Sequence, residues 1–148
     1  MSTSATIEDD IREALEFDPR IPDPEQVAIS AEDGAVTLRG TVGSFSQRRA
    51  AVADARKAQG VYDVFDELQV RLLNDARRDD ADIRGIALQI LMWDNLVPAD
   101  SIDVRVKDGW LTLTGEVSYQ FESDAAYDDV SDLIGIFGVT NEIKVITP

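Results

Sequence analysis

The chain has 148 residues, enough for one ordinary domain or two very small ones, and 44% of them are hydrophobic, so a core can form. With 14 basic against 29 acidic side chains, the formal charge of −15 opposes non-specific binding to nucleic acid and adsorption of the whole molecule to an anionic membrane. Cysteine and histidine are both absent, which excludes disulfides, Cys-ligated metals and Ser-His-Asp or Cys-His catalysis.

The opening stretch, MSTSATIEDDIREAL, carries neither a basic leader nor an apolar segment. No apolar run approaches the roughly 18–20 residues that span a bilayer, so a cytoplasmic protein without a transmembrane segment is expected. Ile7, Ile11 and Leu15 recur every fourth residue with Ala14 beside them, which predicts a helix ended by Pro19, Pro22 and Pro24. Val27 and Ile29 then alternate in a strand, and the Asp33-Gly34 dipeptide signals a hairpin because Gly34 accepts a positive φ. The return strand turns Val36, Leu38 and Val42 inward and Thr37 and Arg39 outward. Gly40 falls on the inward parity, where a bulge or a closely approaching helix explains the missing side chain. A second helix is predicted over about Ser46–Gln59, with a thin stripe of Ala51, Ala55 and Ala58 flanked by Val52, and Gly60 as its stop. Val64–Val70 closes the unit as a strand.

The same order then repeats. A shift of 75 places lays Val27–Val70 on Ile102–Val145 without a gap, matching Asp33/Asp108, Gly34/Gly109, Leu38/Leu113, Gly40/Gly115, Asp54/Asp129, Gly60/Gly135 and Val70/Val145 among others. Ile83, Ile86, Ala87, Ile90 and Leu91 give the second copy a broader helical stripe, ended by WDNLVP. Ile102, Val104 and Val106, then Leu111, Leu113 and Val117, form its hairpin, with Thr112 and Thr114 outward; a helix over Glu122–Ile134 and a strand over Val139–Ile146 follow. The fold class is therefore α+β, with two repeated α-β-β-α-β units, each a small mixed three-stranded sheet with two helices on one face. Residues 1–73 make the first domain, 74–81 a linker or helix extension, and 82–148 the second.

The pattern V-x-I…DG-x-V-x-L-x-G-x-V, an alanine-rich helix and GV-x-x-V-x-x-x-L-x-V, carried here by Val27 to Val70 and again by Ile102 to Val145, resembles the BON domain of bacterial osmotically inducible, outer-membrane and nodulation-related proteins. The asparagine usual in its closing motif is Asn141, whereas the first copy has Asp66. The resemblance implies a non-enzymatic, stress-associated binding module without a cofactor, often associated with envelope or phospholipid surfaces.

Three features are candidates for contact. Arg48, Arg49, Arg56 and Lys57 form the clearest basic cluster, with Arg49 and Arg56 on one side of the helix. They suit an anionic phospholipid headgroup or an acidic partner, or else ordinary ion pairs within the protein. Asp124, Asp128 and Asp132 recur at helical spacing and read as a solvated acidic face, or more weakly as a hard-cation site. Trp110, where the first copy has Ala35, has outward parity and suits packing within the protein, contact between units or between chains, or a lipid interface. Tyr119 and Phe121 follow it, Phe45 sits in the related loop of the first copy, and Trp93 is expected in the core. Gly34, Gly40, Gly60, Gly109, Gly115 and Gly135 are read as structural turns.

Overall fold

A computed structural model describes residues 3–73 and 76–146. The chain divides into two compact units, Met1–Arg71 and Leu72–Pro148. The first runs α1 (Ser4–Phe17), a 3-10 turn at Pro24–Gln26, β1 (Val27–Glu32), β2 (Ala35–Val42), α2 (Phe45–Lys57) and β3 (Asp63–Val70). The second repeats the order as α3 (Asp80–Trp93), a 3-10 turn at Ala99–Ser101, β4 (Ile102–Lys107), β5 (Trp110–Val117), α4 (Gln120–Ser131) and β6 (Gly138–Val145). Of the linker expected over 74–81, residues 74 and 75 lie outside the described residues, and α3 has begun by Asp80.

Each sheet is mixed, as expected. β2 is central, antiparallel to β1 and parallel to β3, and β5 stands likewise between β4 and β6. The hairpins turn through Asp33-Gly34 and Asp108-Gly109 with positive φ at all four residues, the backbone that a two-residue turn of this twist requires. The turn is then tied forward: Tyr62 N–H donates to the Gly34 carbonyl at 3.0 Å and Phe137 N–H to that of Gly109 at 2.9 Å.

Side-chain alternation buries one face of each sheet under the helices. In the first unit Val36, Leu38 and Val42 meet Ile7, Ile11 and Leu15 from α1 and Ala50, Ala51 and Ala55 from α2. In the second, Leu111, Leu113 and Val117 are buried together with Ile83, Ala87, Leu91, Ala126 and Val130. The alanines keep the second helix of the first unit close to the sheet, and valine at 130 replaces Ala55 in the second copy.

Several boundaries differ from the sequence reading. Phe45 belongs not to a loop but to the first turn of α2, where its ring is buried. Ser44 caps that helix by accepting from Gln47 N–H at 3.1 Å, while Gln47 Oε1 accepts from Gly43 N–H at 2.9 Å. Glu122 does the same for Ser118 and Tyr119 at the start of α4. Both helices stop before the glycines assigned as their ends: α2 finishes at Lys57 and α4 at Ser131, so Gly60 and Gly135 shape the following turn instead. Ile86 is exposed, because the buried line of α3 is the narrow i, i+4 series Ile83, Ala87, Leu91. Gly40 and Gly115 mark no bulge, and the closely approaching element is the short 3-10 helix of each unit. A Cβ there would sit 2.0 Å from the Gln26 carbonyl oxygen and 2.1 Å from that of Ser101, where the 3-10 turn enters the sheet.

Candidate functional site

Trp110 keeps its outward parity and lies flat across the neighbouring strand. Its ring covers Gly138, where a Cβ would meet ring atoms at 2.5 Å, and its Nε1 donates to Thr140 Oγ1 at 2.7 Å. The first unit solves the same surface in reverse: Ala35 stands opposite Asp63, and the aromatic ring is Phe65, the counterpart of Thr140. Each sheet therefore carries one ring on this face, on the central strand in one copy and on the third strand in the other. Trp110 remains 41% exposed. Tyr119 and Phe121 stack on each other with centroids 5.5 Å apart and are exposed.

The basic cluster is not one uniform patch. Arg48 leans onto β3, where its Nε donates to Asp66 Oδ2 at 2.8 Å, and only Arg56 and Lys57 in the last turn of α2 are exposed among the four. Their charge there complements the carboxyl end of the helix dipole. Arg49, half-buried, sits two turns before Arg56. The Arg48–Asp66 pair also accounts for the departure from asparagine. Asp66 Oδ1 still accepts from Leu68 N–H at 3.0 Å, as Asn141 Oδ1 accepts from Ile143 N–H at 3.0 Å. The other atom of each side chain reaches the helix: to Arg48 in one copy, and from Asn141 Nδ2 to Ser123 Oγ at 3.0 Å in the other.

Asp124, Asp128 and Asp132 are all exposed, in keeping with a solvated acidic face: Asp132 lies beyond α4, Asp124 accepts from Gln120 Nε2 at 2.9 Å, and no group of metal-ligating side chains forms among the described residues. One expectation is corrected. Trp93 is not a core residue. It ends α3 with 70% of its surface exposed, and Phe17 ends α1 with 78%. The chain bends after each because Asp18 and Asp94 accept a backbone N–H two residues on, from Arg20 and Leu96, at 2.9 Å in both cases. That bend leaves the aromatic ring on the outside.

Asp18 and Asp94 are also halves of a repeated carboxyl pair. Asp18 shares a side-chain hydrogen bond with Asp54 of α2, and Asp94 shares one with Asp129 of α4. Arg20 grips Asp18 with Nε at 3.0 Å and Nη2 at 2.8 Å, and this hydrogen bonding holds the Asp18 carboxyl well below the usual carboxylate range. Burial, then the bond to Asp18 and its charge, push Asp54 up to about 6. Asp94 is lowered by its bond to Asp129 and by the Leu96 N–H; burial and then Asp94 push Asp129 up to about 7. The sequence carried half of this signal, since Asp54 and Asp129 coincide under the 75-residue shift. Their partners do not, because 18 and 94 are 76 apart: one residue is missing between Pro98 and Ile102 relative to Pro22 and Val27.

A protein-family model described as the BON domain matches residues 3–71 and again 79–147. The chain belongs to the BON domain family. Over 126 residues it is 32% identical to the osmotically-inducible protein Y of Escherichia coli (strain K12), an overlap of 80% of this chain and 61% of that protein. The chain thus spans less than two thirds of that relative. Similar solved structures include CdsD, a structural protein of the type III secretion system of Chlamydia trachomatis, at 14% identity, TM-score 0.42, and coverage of 99% of this chain and 65% of that one. The C-terminal domain of CdsD matches at 11% identity, TM-score 0.41, and coverage of 98% and 100%. The two BON units share the hairpin, the capped second helix and the carboxyl pair, and differ in the charge of the second helix. Among the described residues no helix is long and apolar enough to cross a membrane.

Proposed function

We propose that this tandem BON protein is a non-enzymatic interaction module of the osmotic stress response whose partner is another protein. The observation that carries this reading is the exposed ring at the end of the first helix in both units, Phe17 and Trp93, joined in the second by exposed Met92 and Leu96. Single exposed apolar residues are ordinary, but a large ring left in water at the same place in both copies suits an interface anchor. The link to osmotic stress rests on the similarity to osmotically-inducible protein Y. A photo-crosslinking residue placed at 17 or 93 in the full chain tests the reading in cells shifted to high osmolarity. A discrete protein adduct, or a dimer of the chain itself, is expected; its absence from both positions defeats the proposal.

A second reading is peripheral binding to anionic phospholipid, which exposed Arg56 and Lys57, with Arg49 on the same side of α2, support. Flotation with phosphatidylglycerol and phosphatidylcholine vesicles separates the two. Lipid binding predicts selective flotation that R49E/R56E/K57E abolishes, whereas a protein-binding module stays unbound with either vesicle.

A further inference from the structure

A carboxyl pair recurs in both units although the spacing between its members differs by one residue. In each unit the residue that follows the first helix meets an aspartate in the last turn of the second helix. Two carboxyl groups in hydrogen-bond contact need a proton between them, because an ionised carboxylate only accepts. The Oδ2 atoms of Asp54 and Asp129 are sheltered from water and have no hydrogen-bond partner. Such an oxygen is costly on a carboxylate and far less so on a neutral acid. In the first unit the side chains of Asp18 and Asp54 are only 7% and 11% exposed.

We propose that in each unit one shared proton, between Asp18 and Asp54 and between Asp94 and Asp129, clasps the first helix to the second, so that mild acid tightens both units. The groups facing the pairs set the order of response. Asp54 faces Asp18, Arg20 across 3.6 Å, and Lys57, and the two cations favour its charged form. Asp129 faces Asp94 and Asp128, and both negative charges favour its proton. Leu96 stands where the first unit has Arg20, and Asp132 where it has Lys57. The second unit therefore keeps its clasp to higher pH than the first.

The sign follows from linkage. Asp54 and Asp129 bind protons more tightly folded than unfolded, so stability rises as pH falls, from about 7 for Asp129 and about 6 for Asp54. The gain ends near the unfolded value of about 3.9. Asp18 and Asp94 are shifted downward, so their contribution is present above that value and is lost only in stronger acid. Across the window each clasp raises the folding constant by up to about tenfold per pH unit.

Carboxyl 13C titration of the full-length wild-type chain reads the protons directly, with Asp129 expected to titrate near 7 and Asp54 near 6. Urea unfolding from pH 8 to pH 5 in about 1 M NaCl, where surface charges are screened, reads the consequence. The wild-type midpoint should rise on acidification. In Asp54→Asn and Asp129→Asn an amide donor replaces the proton, and the slope contributed by that unit should vanish without loss of stability at pH 8. Titration of both aspartates near 4, or a wild-type slope retained in both variants, overturns the proposal. Should a variant fail to fold, the wild-type titration decides alone.

Discussion

Gly40 and Gly85 show how one residue type serves opposite ends in this chain. At Gly40, φ is +122° and a Cβ would lie 2.0 Å from a backbone carbonyl that cannot step aside. Alanine there meets both a left-handed backbone and a clash, and Gly40→Ala should destabilise the first unit by on the order of 2 kcal/mol or more. Gly85 sits in the interior of α3 on its exposed side, with no positive φ and nothing within 4 Å of the place an alanine methyl would occupy. There glycine only enlarges the unfolded ensemble, so Gly85→Ala should stabilise the second unit by about 0.5–1 kcal/mol. Urea midpoints of the two variants check both signs. A neutral Gly40→Ala would mean that the 3-10 turn can withdraw from the sheet.

At the scale of elements, what local chemistry encodes was legible and what two distant segments negotiate was not. Period-four and period-two spacing, DG turns and the ungapped repeat are local signals, and they specify both α-β-β-α-β units. The reach of Arg48 to Asp66, the clasp of Asp18 on Asp54, and the outward turn of Trp93 depend on where a helix end falls against another element, which no window of sequence reports. Aspartate at 66 was visible as a departure from the family motif; its reason was 18 residues away in α2. The paired changes imply coupling between α2 and β3. Asp66→Asn alone should cost about 1 kcal/mol, because it leaves the largely buried Arg48 without its carboxylate. Arg48→Ser with Asp66→Asn copies the Ser123–Asn141 pair and should recover most of that loss in a double-mutant cycle. Additive losses would mean that the two side chains act separately.

For the whole molecule the dominant electrostatic fact is the excess of acid over base. Residues 1–71 hold 14 acidic and 8 basic side chains, a net of −6; residues 72–148 hold 15 and 6, a net of −9. Salt acts on this in two opposing ways. It weakens exposed attractions such as Arg39–Glu67, whose side chains are 70% and 50% exposed, but pairs of that kind contribute little. It also screens repulsion among the excess carboxylates, as the Debye length falls from about 8 Å at physiological strength to about 3 Å at 1 M. With twice as many acids as bases, repulsion outweighs attraction, so salt should stabilise the fold, and the more acidic second unit should gain more. Both tryptophans, Trp93 and Trp110, lie in that unit, so fluorescence follows it selectively while far-UV circular dichroism follows both. At pH 8, raising NaCl should move the fluorescence midpoint in urea upward by more than the circular dichroism midpoint. Screening also requires most of the gain to come at low salt, with NaCl and KCl equivalent. A midpoint that stays flat or falls would mean that the acidic side chains are already neutralised by local pairing, and that net charge has no hold on the stability of either unit.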